Sequence, residues 1–223
     1  NASLFGTASY SSVSAMIKSG TKSLNMKGDI YAMLPYAATH HDEMTITTWV
    51  RHSSGGSNWQ RIFDFGNGTN QYMFLTPNNG SEMRFVMKNG GEEEILSTGK
   101  KLSTTAWHHI AIAIKPMGNN VQATLYLDGE NVAQSDKFTI KPSDIAPSLC
   151  YIGRSMFRGD PLFEGRIDDF RIYNHALSAD EIASIMTDIG EVSNDISNSY
   201  EETLSTDIQA IHPDNGQQTT DND

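Results

Sequence analysis

Hydrophobic and polar positions alternate in period two along much of this 223-residue chain. Met83, Phe85 and Met87 fall on one face, with Arg84, Val86 and Lys88 on the other. Ile110, Ile112 and Ile114 form a second such stripe. Alternation at 180° per residue marks a strand with two different faces. The pattern predicts strands over 22–27, 30–34, 44–51, 60–65, 72–76, 82–88, 107–115, 121–128 and 165–173. Between them lie Asn79-Gly80, Asn89-Gly90 and Asp128-Gly129, dipeptides that supply the positive φ of tight hairpins. Asp128-Gly129, between residues 124–127 and 131–133, is the clearest hairpin. Many short strands at regular spacing imply an antiparallel sandwich or barrel.

The pattern changes period once. Ser178-Ala-Asp-Glu181 is a capping box, and Ile182, Ile185 and Met186 follow at helical spacing. A helix is expected over 179–187, stopping near Gly190. Beyond it Ser, Asn, Asp, Gln and Thr dominate, which reads as a polar tail or linker over 191–223 after a domain at 1–190. Ile208 and Ile211 are the one hint of a docking element there. Charge follows the same division. Nine of the 27 acids lie from Asp188 to Asp223 with no Lys or Arg among them. The remaining 18 acids face 16 bases, so the body is nearly neutral. No basic cluster could neutralise several phosphates, which argues against nucleic acid as a partner. No run approaches the ~20 apolar residues of a membrane span, so no membrane insertion is expected. The single cysteine, Cys150, excludes an internal disulfide framework and a cysteine-ligated zinc site. The chain opens without Met, a charged n-region or an h-region, and reads as a mature form or a piece of something longer.

The order of elements resembles a laminin-G-like domain. Residues 42–50 look like its early core strand, Trp107-His108-His109-Ile110-Ala111 its later one, and Leu125-Tyr-Leu-Asp-Gly129 its hairpin. Tyr151-Ile-Gly-Arg154 and the stretch from Phe163 to Asn174 resemble the closing strand, and Leu177 to Ile182 the short helix after it. The resemblance covers about residues 1–187 and points to the concanavalin A-like jelly rolls that accompany bacterial secreted glycoside hydrolases. It implies an all-β fold: a two-sheet antiparallel jelly-roll sandwich with one short C-terminal helix and a polar tail. It also implies a secreted, periplasmic or cell-surface location, and a catalytic domain in the same parent protein as a possible partner.

Some jelly rolls of this superfamily are glycanases with Glu-x-Asp-x-Glu on one strand, placing two carboxylates together on one side of the sugar. This chain lacks the motif, has no Gly-x-Ser-x-Gly elbow, and is expected to be non-catalytic. Glu92-Glu93-Glu94 reads as a solvated hairpin rim. His108 and His109 point to opposite faces of a strand, so they do not make a metal pair; one is expected to pack beside Trp107. The resemblance implies a structural calcium, held by Asp169 on the closing strand with N-terminal carbonyls; Asp29, in a turn after Gly28, would add an oxygen; the plainer alternative has Asp169 pair with an arginine such as Arg171 or cap a loop. Calcium takes six to eight such oxygen ligands.

Sugar sites combine an aromatic face with a few fixed polar groups. The segment 58–66 followed by Tyr72 offers that mixture. Trp59 is the expected platform with Tyr72 second, while Arg61, Asp64 and Arg84 would fix orientation and Arg154 would add to a rim. Gln60, Ile62 and Asp64 are expected to face away from the core, with Arg84 beside Asp64. Each has a plainer reading, Asp64 and Arg84 as an ordinary cross-strand ion pair worth under ~1 kcal/mol and Trp59 as a cover for the core edge. The sequence therefore points to a carbohydrate-binding accessory domain whose partner is a polysaccharide or oligosaccharide. A structural or protein-interaction domain of the same fold is the rival.

Overall fold

The alternating stripes become strands of two antiparallel sheets in the computed structural model. It describes residues 2–7, 9–12, 18–20, 22–104 and 106–188. The expected tail over 191–223, with Ile208 and Ile211, lies outside the described residues.

The first sheet lines up β1 (Ser3–Phe5), β4 (Tyr31–Leu34), β13 (Leu149–Ile152), β6 (Phe63–Gly66), β7 (Gln71–Thr76), β8 (Arg84–Asn89) and β9 (Glu94–Ser97). The second lines up β12 (Glu130–Phe138), β11 (Asn120–Leu127), β10 (His108–Met117), β5 (Met44–His52), β14 (Gly165–Tyr173), β3 (Ser23–Met26) and β2 (Ser9–Ser11). Two short helices complete it, α1 (Pro142–Ile145) and α2 (Ala179–Thr187). This is the expected two-sheet antiparallel sandwich of jelly-roll type.

The core lies between the sheets and is built from the inward half of each alternation. Phe63, Phe65, Met73, Leu75, Phe85 and Met87 of the first sheet meet Ile46, Val50, Ile110, Ile112, Ile114, Leu125 and Phe170 of the second. Phe63 and Phe65 both reach Phe170, with ring centroids 6.3 and 6.4 Å away. Burying each such side chain stabilises the fold by about 1.5–3 kcal/mol, so the interleaved stripes fix the register: a slip by one residue would turn each stripe outward. The Asp128-Gly129 hairpin forms as expected, with both residues at positive φ (52° and 85°) between β11 and β12. The α2 capping box also forms: Ser178 Oγ accepts from the Glu181 amide, while the Glu181 carboxylate accepts from that of Ser178.

The strand expected over 60–65 begins only at Phe63. Gln60 is buried with its Oε1 2.9 Å from His52 Nε2, and Ile62 belongs to the core. Neither faces outward as expected. Strands β1, β2, β9 and β13 and helix α1 are further elements of three or four residues each.

Candidate functional site

The outward half of the first sheet carries most of the candidate residues. Met33, Tyr151, Asp64, Phe74, Val86 and Ile95 stand opposite one another across five adjacent ladders, on the face away from the core. Asp64 is the acid at the centre of this apolar row.

A loop of residues 154–162 folds back over that centre. Its neck is closed by the Phe163 amide donating to the Gly153 carbonyl at 2.9 Å, and anchored by the Gly153 amide on the Ile62 carbonyl at 3.0 Å. Gly153 is needed there: its φ is +81°, and a Cβ would sit 2.1 Å from Met26 Cε. Phe157 drops edge-on to Tyr72, centroids 5.6 Å apart, and Tyr72 stacks on Phe74 at 5.5 Å. The Met156 amide donates to Asp64 Oδ2 at 2.9 Å. Asp160 Oδ2 accepts from Arg61 Nη2 and from Ser155 Oγ, each at 2.8 Å.

Arg61 is the beam under this roof. Its guanidinium lies 3.9 Å over the Phe74 ring and donates from Nη1 to the Trp59 carbonyl at 2.6 Å. Its Nε stays 3.6 Å from Asp64 Oδ2, too long for a hydrogen bond. Arg61 Nε and Asp64 Oδ1 are both buried without partners among the described residues. Desolvation therefore dominates at Asp64, raising its carboxyl to about 7 in spite of Met156 and Arg61, which pull it down.

Beside the roofed centre the same face is open. Phe5 stacks on Tyr31 with centroids 4.7 Å apart and planes within 5°. Tyr31 meets Tyr151 edge-on at 5.7 Å. The Arg154 guanidinium lies over both tyrosines, 4.6 and 5.1 Å from their centroids. Tyr31, Tyr151 and Arg154 are half-buried and Phe5 is 36% exposed. Cys150 and Ile152 point into the core and Tyr151 outward, and Phe5 and Tyr31 join Tyr151 through the β1–β4–β13 pairing.

The structure thus divides the expected sugar-binding set. Trp59 is 39% exposed, at the edge of the roof. Arg61, Asp64 and Tyr72 are 2%, 0% and 1% exposed, so they support the face from beneath and do not line an open surface. Tyr72 donates its hydroxyl to Glu93 at 2.5 Å, so that glutamate is engaged and not a free rim charge. Glu94 accepts from the amides of Thr139 and Ile140. Arg84 is not beside Asp64. The β7–β8 register pairs it with Thr76, and its Nη2 donates to Glu82 at 2.9 Å. Arg154 stands on the open part, away from the roofed group.

The expected calcium ligands are not brought together. The β3–β14 ladder pairs Gly165 with Met26 and Ile167 with Leu24, so Asp29 lies beyond one end and Asp169 beyond the other. Asp169 sits at a bulge with φ +49°, and its Oδ1 accepts from Arg171 Nε at 2.6 Å, the plainer alternative. The acid that reaches the N-terminal segment is Asp168. Its Oδ2 accepts the amides of Lys18 and Ser19 at 2.8 and 2.9 Å. Among the described residues no three or more His, Cys, Asp or Glu cluster to hold a metal ion. Asp29 and Asp169 therefore do not fit a shared calcium site.

On the second sheet His109 packs against Trp49, not Trp107, with centroids 5.2 Å apart, and burial lowers it to about 4. Trp49 faces outward there, with Lys18 Nζ 4.1 Å over its ring. His108 bridges Ser103 Oγ at 2.5 Å and Asp128 Oδ2 at 2.7 Å. Asp128 also accepts the His109 amide and sits at the positive-φ corner of the β11–β12 turn, so the relay ties that hairpin to the start of β10.

Residues 26–183 match a family described as the Concanavalin A-like lectin/glucanases superfamily. A stretch of 152 residues is 28% identical to usherin of Rattus norvegicus, covering 65% of this chain but spanning only 3% of usherin. Among solved structures, domain 4 of an extracellular family GH43 arabinanase from Geobacillus stearothermophilus, in complex with arabinotriose, superposes with a TM-score of 0.68. Identity is 18%, over 83% of this chain and 88% of that domain. The CBM40 domain of a Ruminococcus gnavus sialidase, bound to α2,3-sialyllactose, gives 0.58 at 21% identity, over 67% and 85% of the two chains. At these identities the structural likeness is one of fold.

Proposed function

The chain belongs to the concanavalin A-like lectin/glucanases superfamily, and from that premise we propose that it is a non-catalytic carbohydrate-binding domain, accessory to a secreted polysaccharide-processing protein. The observation that carries this reading is the open aromatic patch of Phe5, Tyr31 and Tyr151 under Arg154. Ring faces pack against sugar C–H groups, and a guanidinium edge supplies several donors for hydroxyls. Trp59 extends the apolar rim at the roof's edge. The ligands bound by the arabinanase domain and by the CBM40 domain support the same direction.

A shallow site of this kind binds weakly, because hydroxyls surrender water hydrogen bonds as they gain protein ones. Dissociation constants on the order of 10⁻⁵–10⁻³ M are expected. Isothermal titration of oligosaccharides against wild type, Tyr31→Ala and Trp59→Ala tests the reading: binding should weaken in the variants while their melting curves stay cooperative. The rival, a structural or protein-interaction domain, is favoured by one observation: the centre of this face is filled by the chain's own loop. Absence of any glycan binding at millimolar concentration would leave that rival standing.

A further inference from the structure

We propose that the open patch selects acidic glycans, with the carboxylate of a uronic or sialic acid held by Arg154 while the sugar ring rests on the exposed aromatic edge of Phe5, Tyr31 and Tyr151 beside it. The proposal rests on the carbohydrate-binding reading and names the substrate class of that same patch.

Charge on this face is the first argument. Four arginines belong to it or to its covering loop: Arg61, Arg84, Arg154 and Arg158. Arg61 is engaged with Asp160, and Arg84 with Glu82. Among the described residues Arg154 and Arg158 form no ion pair with a carboxylate. Arg154 and Arg158 are therefore left without a carboxylate partner on a face whose other two arginines are paired.

Geometry is the second argument. Arg154 is half-buried with its guanidinium 4.6 and 5.1 Å from the centroids of two tyrosine rings, which restricts it and removes part of its water. The N–H groups that such a guanidinium leaves exposed match a carboxylate bidentately. Partial desolvation strengthens such a pair, while a neutral sugar would leave the cation without a counter-charge. Two rings meeting edge-on at 5.7 Å give a short apolar step beside it, suited to a single terminal residue.

The test uses the full chain and two pairs of probes: α2,3-sialyllactose against lactose, and trigalacturonate against arabinotriose. Titration should show at least one acidic probe binding about tenfold or more tightly than its neutral counterpart, with the advantage shrinking as salt is raised. Arg154→Gln should erase the advantage by weakening the acidic probes about tenfold or more and the neutral probes by much less, and circular dichroism should show the fold retained. Equal affinities within both pairs on wild type, insensitive to salt, would overturn the proposal and leave the carbohydrate-binding reading in place. Failure of all four probes to bind at millimolar concentration would sink that reading, and this one with it.

Discussion

The two sheets present outer faces that are covered in opposite ways. On the second sheet α2 lays Ile182 and Ile185 on Ala111, Leu177, Tyr126 and Tyr173. That cover is apolar, local in sequence to β14, and started by a capping box. On the first sheet the cover is a loop without regular structure, and beneath it lie an arginine and an aspartate. An apolar cover stabilises by burial alone. A charged one gains its contacts against the cost of desolvating both ions, a balance that is often near zero. What the second arrangement provides is a loop held in one place at the edge of an aromatic patch.

Removing one member from each cover should break the symmetry most visibly. Arg61→Ala leaves Asp64 and Asp160 together without their cation, and breaking a buried pair costs about 3–5 kcal/mol. The loss should be larger at pH 8 than at pH 5, because Asp64 can take up a proton at the lower pH. Ile182→Ala on the helix should cost about 2–4 kcal/mol, with no such pH dependence. Urea midpoints at the two pH values check both. Equal losses for Arg61→Ala at pH 5 and pH 8 would mean that the pair is not electrostatically coupled.

The next effect is a pair of opposed titrations, one under each face. Asp64 titrates near 7 when folded and near 3.9 when unfolded, so the folded state holds the extra proton between those values. Its contribution is present below about pH 4 and is lost as pH rises towards 7. His109 titrates near 4 when folded and near 6.5 when unfolded, so the unfolded state holds the extra proton. Its contribution is present above about 6.5 and is lost as pH falls towards 4. The windows overlap and the slopes oppose, so these two contributions largely offset each other between pH 4 and 7. Asp64→Asn should expose the His109 slope, with stability rising through that window by a few kcal/mol at most. His109→Phe should expose the reverse. Chemical denaturation across pH 4–7 decides it, and parallel profiles for the two variants would refute the assignment.

The same contrast explains what the sequence made legible. Alternation in Met83-Phe85-Met87 and Ile110-Ile112-Ile114 reflects burial, which acts residue by residue, and all six lie in the core. The α2 capping box spans four residues and needs no distant partner. The roof is different. Its residues 154–162 meet Arg61, Asp64 and Tyr72 some ninety positions away in the chain, and no local pattern encodes that return. Expecting Asp64 beside Arg84 required the β6–β7–β8 register, which sets Phe74 against Asp64 and Thr76 against Arg84. The open patch was missed for the same reason: Phe5 comes from a three-residue strand with one partly buried side chain, too short for a period to show. Glu94 opens β9 with its carboxylate on the Thr139 amide, so one member of an acidic run that reads as solvated rim tethers an edge strand, while Glu92 and Glu93 stay exposed.

The smallest expected effect bears on whether the roof's edge is held for stability or for a ligand. Trp59 adopts φ +66°, in the left-handed region that bulky residues avoid. Its amide donates to the Asn78 carbonyl at 2.7 Å and its own carbonyl accepts from Arg61, so the backbone is pinned there from both sides. Such strain costs on the order of 1 kcal/mol and persists only where the surroundings enforce it. The indole contributes little in return, since 39% of the residue stays exposed and the Arg61 guanidinium is 5.6 Å from its ring. Trp59→Gly should relieve the strain while losing that contact, leaving unfolding free energy within about 1 kcal/mol of wild type. Trp59→Ala keeps the strain and loses the contact, so it should be the less stable of the two. If both variants keep the fold and both weaken glycan binding, the strained tryptophan is retained for the ligand. If Trp59→Gly instead loses well over 1 kcal/mol and binding is unchanged, Trp59 belongs to the roof, and the binding surface is confined to Phe5, Tyr31, Tyr151 and Arg154.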